Sequence, residues 1–372
     1  MAQAIQMQRK NDSGVYENYY PNTVMSQVEG DIQVLAKIEI KTNNALGTIT
    51  VSNGESVSLN YDGNGFIYLK YGTYTFSMTK NSNTVTKTLI VDSIKKYILE
   101  MYDISKTLND NDWATISNVS NTGLANSYWS IGDAKAINLN GTASKLSLNT
   151  TLYCYILGFD HDKSSESGAK DGITFGTFKT AASDGTDVCL VSGYDDNSDF
   201  GMNTTSTNSG GWKNSDMRYN ILGSTNTQNG DATATTATSP KANTLMSCLP
   251  SNLRVVMRPI YIYTDNTGGG SDTASYVTGT LDYLPLLAEY EVYGTRTFAN
   301  SAEQNNQTQY AYYKNGNSKK KYNHSNTSSA VFWWERSPSC GDDASFCNAT
   351  SNGTTDTTDA NFSCGVAPMF KV

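Results

Sequence analysis

Two histidines, six cysteines and scattered carboxylates are the residues of this 372-residue chain best suited to chemistry. Asp160-His161-Asp162 has the ligand types for a metal, but a zinc site needs three or four ligands held together. Nothing at ligand spacing accompanies the trio, so a solvated turn at a strand end is the preferred reading. His324 follows Lys319-Lys320-Lys321-Tyr322 and is expected on the surface, with the lysine run as a solvated loop. Asp195, Asp196 and Asp199, with Asn197, offer the oxygens that calcium prefers, but the closing Glu of an EF-hand loop is absent. The cysteines, at 154, 189, 248, 340, 347 and 364, form no CxxC pair and are expected as free thiols. There is no nucleophile elbow, P-loop or dinucleotide fingerprint. Gly268-Gly269-Gly270 lacks a strand-to-helix setting and reads as a flexible loop. Trp333-Trp334 could offer ring faces to a sugar. Neighbours on a strand face opposite sides, so one is expected in the core and the other partly buried. Arg336 is expected to pair with an internal carboxylate. No catalytic set, metal or cofactor is expected.

The elements that must position these residues fall into three parts. Residues 1–30 are polar, with tyrosines at 16, 19 and 20, and read as an attachment segment or a loose terminus. Residues 31–103 read as a small all-β sandwich. Short alternating runs recur at 32–40, 46–51, 57–61, 66–71, 74–78 and 85–91, between turns such as Asn53-Gly54 and Asp62-Gly63-Asn64-Gly65. The stretch 65–78 resembles PEGA-type β-domains of surface proteins. From 104 to 372 the pattern suggests one large α+β domain. Asn109 or Asp110 could cap a helix that places Trp113, Ile116 and Val119 on one face. Strands are predicted at 137–139, 152–159 and 188–191, and mixed structure at 276–293. Helices are predicted at 212–222 and 244–257, the second broken at Pro250. The polar stretches 195–211 and 223–240 are long enough to be functional or mobile loops.

Composition narrows the function. Tyr is abundant at 24 residues against 7 Pro, which favours strands and turns. The net charge of −8 argues against a nucleic-acid surface, which is normally basic. No apolar run reaches the length of a membrane span, and residues 1–13 lack the apolar centre of a signal peptide. Synthesis in a cytoplasm without export by that route is expected.

The closing forty-one residues are the most distinctive. Phe332-Trp333-Trp334-Glu335-Arg336-Ser337-Pro338 and Gly365-Val366-Ala367-Pro368-Met369-Phe370 frame a stretch, 337–364, made only of Ser, Pro, Cys, Gly, Asp, Ala, Phe, Asn and Thr. A firm frame around so soft a segment suggests binding residues displayed on a scaffold.

These ends belong to an ordered series. It includes Tyr128-Trp129-Ser130-Ile131-Gly132-Asp133, Gly158-Phe159-Asp160-His161-Asp162, Gly210-Gly211-Trp212-Lys213-Asn214-Ser215-Asp216-Met217-Arg218 and Leu249-Pro250-Ser251-Asn252-Leu253. It continues through Glu289-Tyr290-Glu291-Val292-Tyr293-Gly294 and Tyr312-Tyr313-Lys314-Asn315-Gly316. Over about 110–372 the series resembles an uncharacterised domain family of Firmicutes and their phages. That family is similar to the C-type-lectin-like variable proteins of diversity-generating retroelements. It typically has an apolar residue, often Leu, where Glu335 stands. The resemblance implies an α+β architecture with a C-terminal C-type-lectin-like domain after the β-sandwich. It also implies a receptor-binding protein whose variable segment spans about 332–372. In such systems adenines of AAY codons are randomised to NNY, which cannot encode Lys, Glu, Gln, Met or Trp. The stretch 337–364 lacks all five.

The resulting expectation is a phage tail-tip adhesin, made in the host cytoplasm and carried on the virion. It would grip a host cell-surface receptor, glycan or protein, and other tail proteins through its N-terminal segment. A homotrimer is expected, gaining by avidity, with no nucleic-acid partner and no membrane insertion. The expected ligand contacts are Ser339, Asp342, Asp343, Phe346, Asn348, Thr350, Asn352, Thr354, Thr355, Asp356, Thr358, Asp359 and Asn361. Small polar side chains would supply adaptable hydrogen bonds and Phe346 an apolar contact. Two rivals remain. One is a bacterial surface adhesin or carbohydrate-binding module without diversification. The other is an enzyme like the formylglycine-generating oxidases, which share the lectin-like core and need a reactive cysteine pair; Cys340 and Cys347 are the nearest candidates.

Overall fold

The alternation at Ala36, Ile38 and Ile40 is carried by a strand whose inward side chains are fully buried and whose outward ones are not. It belongs to a computed structural model that describes residues 7–10, 16–19, 35–44, 46–80, 83–193 and 199–372. The chain divides into two compact units, Met1–Asp103 and Ile104–Val372.

In the first unit, β1 (Met7–Lys10) and β2 (Tyr16–Tyr19) pair as a hairpin. The rest of the attachment segment lies outside the described residues. Seven strands follow: β3 (Ala36–Thr42), β4 (Thr48–Val51), β5 (Ser56–Ser58), β6 (Asn64–Leu69), β7 (Gly72–Lys80), β8 (Asn83–Val91) and β9 (Lys96–Met101). They form two sheets, β6-β3-β9 and β5-β4-β7-β8. Ile38, Ile40, Ile49, Phe76, Met78 and Met101 share one core between them. Strand β9 was not among the six predicted runs; it pairs in parallel with β3 and so depends on a distant partner.

The second unit starts with α1 (Trp113–Asn121). Its cap is Asp112, which accepts from the Thr115 amide at 2.7 Å, and not Asn109 or Asp110. Those two residues lie in a preceding 3-10 turn, where Asn109 instead accepts from the Ala136 amide. Strands β10 (Ala134–Ala143), β11 (Leu146–Phe159) and β12 (Ile173–Lys179) form an antiparallel sheet. Further on come β13 (Val188–Cys189), α2 (Gly211–Asn214), α3 (Thr235–Thr238), α4 (Leu245–Cys248), α5 (Ser251–Arg254), β14 (Ile260–Asp265), β15 (Val277–Asp282), α6 (Glu289–Tyr293) and α7 (Ala311–Lys314). The last strands are β16 (Lys321–Asn323), β17 (Asn326–Val331), β18 (Trp333–Pro338), β19 (Ser345–Ala349), β20 (Thr355–Asp359) and β21 (Met369–Lys371). β21 returns to pair with β12, which brings Phe370 against Phe175 and Trp113 in the core.

The described residues are β-rich, with short helices only; α1, at nine residues, is the longest. The predicted helix at 212–222 is two pieces. α2 stops at Ser215, whose backbone is extended, and a π-helical turn covers Met217–Ile221. The predicted helix at 244–257 is likewise divided into α4 and α5, with Pro250 capping the second. No helix among the described residues is long and apolar enough to cross a membrane.

Candidate functional site

The closing segment is organised by β18, all six residues of which are buried. Trp333 and Trp334 are both wholly inside, which corrects the expectation that one would be partly exposed. The alternation argument assumes an open face, and β18 has none. All six of its residues are buried, so both faces are covered, and its edges are taken as well: β19 pairs along one, and at the other the Trp334 amide bonds to Gly365 O at 2.9 Å. A side chain at Gly365 would sit on the Cys189 sulfur, so only glycine permits that close approach. The indole nitrogens of Trp333 and Trp334 donate to Lys319 O and Phe200 O.

Arg336 pairs internally. Its two terminal nitrogens grip the Glu291 carboxylate at 2.6 Å each, and Nε donates to Thr264 Oγ1 at 2.7 Å. Ser337 donates to Glu303 Oε2 at 2.6 Å. Burial pushes the Glu303 carboxyl up to about 7 despite that bond and those from the Asp265 amide and Gln307. Glu335, on the same strand, is buried and neither of its oxygens has a hydrogen-bond partner. Burial, and then the charges of Glu289 and Glu291, raise its pKa well above the usual carboxylate range. The protonated acid is therefore the form the fold favours.

From β18 the chain enters a tight turn held by Asn208, a residue of the long polar stretch 195–211. Its Nδ2 donates to the carbonyls of Ser339, Asp342 and Ser345, and its amide to Asp343 O. Gly268-Gly269-Gly270 is fastened to the same frame, contrary to the flexible loop expected. The Gly268 amide donates to Asp265 and the Gly269 amide to Asn208 Oδ1. Positive φ at all three glycines lets the backbone pass this close.

β19 and β20 then form a hairpin with Asn348 opposite Asp356 and Phe346 opposite Thr358. β19 is buried along its whole length and β20 is half-exposed. This sorts the thirteen expected contacts. Asp343, Asn352, Thr354 and Asp359 are exposed, and Asp342, Thr350, Thr355, Asp356, Thr358 and Asn361 are half-buried. Ser339, Phe346 and Asn348 are buried and have no surface for a ligand: Phe346 and Asn348 because β19 is buried along its whole length, and Ser339 because it sits inside the turn clamped by Asn208. Phe346 makes its apolar contacts with the protein's own core. Asn348 Nδ2 donates to Thr358 Oγ1 at 2.7 Å, and Thr355 is tied to Glu289 at 2.7 Å. The exposed residues fall in two groups at opposite ends of β20. Asn352 and Thr354 lie at the tip, and Asp343 and Asp359 beside the Asn208 turn, about 17 Å away at roughly 3.3 Å per strand residue. Two neighbours were missed: Thr357, on β20 itself, and the exposed Lys320, whose stem runs beside Gly353 at the tip. Thr357 lies inside the soft stretch and could have been chosen; no spacing signal links Lys320 to a hairpin tip thirty residues on.

The remaining chemical candidates are redistributed. Asp162 is buried and is no solvated turn. It accepts from Thr174, Tyr310 and the His161 ring. These partners outweigh its burial and hold its carboxyl down at about 2. The His161 ring stacks on Tyr310 with centroids 3.8 Å apart. His324 is half-buried and its Nδ1 accepts from the Val191 amide. Lys321 is buried against Tyr155 and Trp333, so the lysine run is only partly solvated. Asp195 and Asp196 lie outside the described residues, and Asp199 pairs with Lys145. Among the described residues no group of three or more His, Cys, Asp or Glu is arranged to hold a metal ion. Burial raises the pKa of both Cys340 and Cys347, which favours the thiol over the nucleophilic thiolate.

A family model for a domain of unknown function, DUF6273, matches residues 186–372. No curated protein matches the chain. Among solved structures, the chain is similar to a DUF3823 family protein from Parabacteroides merdae ATCC 43184. Identity there is 9%, over 33% of this chain and 57% of that one, with a TM-score of 0.17. It is also similar to the Bacillus anthracis TIE protein, at 11% identity over 40% of this chain and 29% of that one, with a TM-score of 0.18. The chain thus spans less than two thirds of either, and at these scores neither likeness carries an argument.

Proposed function

We propose, on the premise that this chain belongs to the DUF6273 family, that it is a phage tail-tip receptor-binding protein. The second unit is read as a C-type-lectin-like head, and its β19–β20 hairpin as the surface that grips a host cell-surface receptor. The observation that carries the reading is the contrast within one segment. β18 and β19 are buried throughout, while β20 and the turns around it present small polar side chains. Side chains on such a face can be exchanged at little cost to the core, since exposed substitutions usually shift stability by no more than about 0.5 kcal/mol. That is the physical requirement of a diversified binding surface. The composition of 337–364, which lacks the five residues that NNY codons cannot encode, supports diversification by a retroelement. Under this reading the protein is no enzyme, works as a trimer on the virion and joins the tail through its N-terminal segment.

Two measurements test it. Sequencing around the gene should find a near-copy of its 3′ end differing at adenines, beside a reverse transcriptase gene. Purified protein should bind host cells and block phage adsorption. Replacing Asp343, Asn352, Thr354 and Asp359 together should remove that binding while leaving the thermal transition in place. Cell binding that survives the fourfold replacement would move the receptor site off the hairpin.

A further inference from the structure

In the first unit, the outer edge of β9 is free. β9 bonds to β3 along one side, and among the described residues no backbone group bonds to its other side. A free edge is a template for a further strand, so native proteins usually make theirs short or guard them with charge. The other edges of this unit follow that rule or carry nothing to fix a partner. β5 is three residues long. β8 has Lys87 at its midpoint, which a pairing centred there would set against its own copy. β6 has no charged residue to select a register.

β9 differs from all three. Lys96, Ile98 and Glu100 point outward and are exposed, Ile98 at 52%, while Leu99 and Met101 are buried in the core and Tyr97 packs against it. The exposed row has a cation two residues before Ile98 and an anion two residues after it. A second β9 laid antiparallel and centred on Ile98 therefore meets opposite charge at both ends. Lys96 faces Glu100 of the second copy, Glu100 faces Lys96 of the second copy, and the two Ile98 side chains face each other. On the inner side the same register sets Tyr97 opposite Leu99. A parallel register would instead set each charge beside its like. Both charges are available. Lys96 and Lys37 share the one carboxylate of Glu39, at 3.1 Å and 2.8 Å, which leaves a surplus cation. Among the described residues Glu100 makes no ion pair, although Lys41 lies opposite it on β3.

We propose that the first unit pairs with a second copy of this chain through β9, in an antiparallel two-fold contact centred on Ile98. Such a contact is isologous, so each favourable pair occurs twice. Opposite charges directly across a strand pair stabilise it, and like charges destabilise it. The facing residues of each copy span about 17 Å at roughly 3.4 Å per residue, which is too little for an interface of standard size. The pair is therefore in exchange with separate copies. The contact does not rest on the receptor reading: where the heads form trimers, it joins one trimer to another.

The test is sedimentation velocity of the full chain over a wide range of concentration. The particle mass should double between the dilute and the concentrated ends. Lys96→Glu and Glu100→Lys alter exposed side chains, and the ion pair lost with Lys96 is a surface one that contributes little to the fold. Circular dichroism and the thermal transition check that each variant is folded. Each should raise the concentration at which the mass doubles about tenfold, because two cross-strand pairs turn from attraction to repulsion. An equimolar mixture of the two variants restores opposite charges at both ends of a mixed pair, so it should double near the parent's concentration. A parent whose mass never doubles, a single variant that doubles as the parent does, or a mixture no better than its components overturns the proposal. The mass left in the single variants, one copy or three, reports separately on the trimer proposed above.

Discussion

Replacing Glu335 by leucine should stabilise the second unit, and by more at high pH than at low. The carboxyl is wholly buried and both its oxygens lack partners. Leaving a buried polar group unpaired costs about 1–3 kcal/mol even when it is neutral. Ionisation adds to this. Glu335 has a folded pKa raised above its ordinary value of 4.5, chiefly by burial and then by Glu289 and Glu291. The sign follows from linkage: the unfolded chain releases the proton first. The parent therefore loses stability as pH climbs above 4.5, by up to about 1.4 kcal/mol per pH unit until the folded-state pKa is reached. Leucine has no proton to lose and leaves no polar atom unpaired. The measurement is urea unfolding of parent and Glu335→Leu at pH 5.0 and 7.5. The variant should be more stable by about 1–3 kcal/mol at the lower pH, and the gap should widen at the higher. Glu335→Gln separates the two contributions, because it keeps a polar group but cannot titrate. A leucine variant less stable than the parent, or a gap independent of pH, would refute the reasoning.

Three further outcomes are expected. Asp162→Ala removes the acceptor shared by Thr174, Tyr310 and His161 and should cost about 3–5 kcal/mol. In the parent the stability from this depressed carboxyl is present above 3.8 and is lost as pH falls toward 2, which acid titration by circular dichroism should trace. Arg336→Ala strands Glu291 and should cost about 3–5 kcal/mol, read as a lowered urea midpoint. Phe346→Ala should cost about 3–5 kcal/mol, whereas Asn352→Ala, one strand away at the exposed tip, should stay within about 0.5 kcal/mol; equal effects would mean the hairpin is not sorted as described.

Short-range signals in this chain were legible and long-range ones were not. The strands from β3 to β8 could be read from alternation, and the break at Pro250 from its missing amide. α1 could be seen from the spacing of Trp113, Ile116 and Val119, although its cap was misplaced because Asn109 is drawn away by the Ala136 amide. β9 escaped notice because its parallel partner, β3, lies more than fifty residues earlier. At the candidate site, the soft composition of 337–364 set the segment apart from its neighbours, although the structure buries its β19 as fully as the β18 that precedes it. It could not say which of its residues face out. Phe346, Asn348 and Ser339 lie in the same soft stretch as Asp343 and Asn352, and only the covering of β19 and the Asn208 clamp on the turn before it separate them.

The sequence by itself determined the parts: a β-rich N-terminal unit, a frame of aromatic and charged residues, and a polar stretch held between them. Tertiary structure decided what each part does. It made Asn208 the clamp of a turn more than 130 residues away, and Arg336 the partner of Glu291. It left Glu335 without a partner and turned one edge of a hairpin outward. Alternation and capping act over a few neighbouring residues, so they can be read along the chain. Burial and pairing depend on which distant segments are brought together, and no local spacing encodes that.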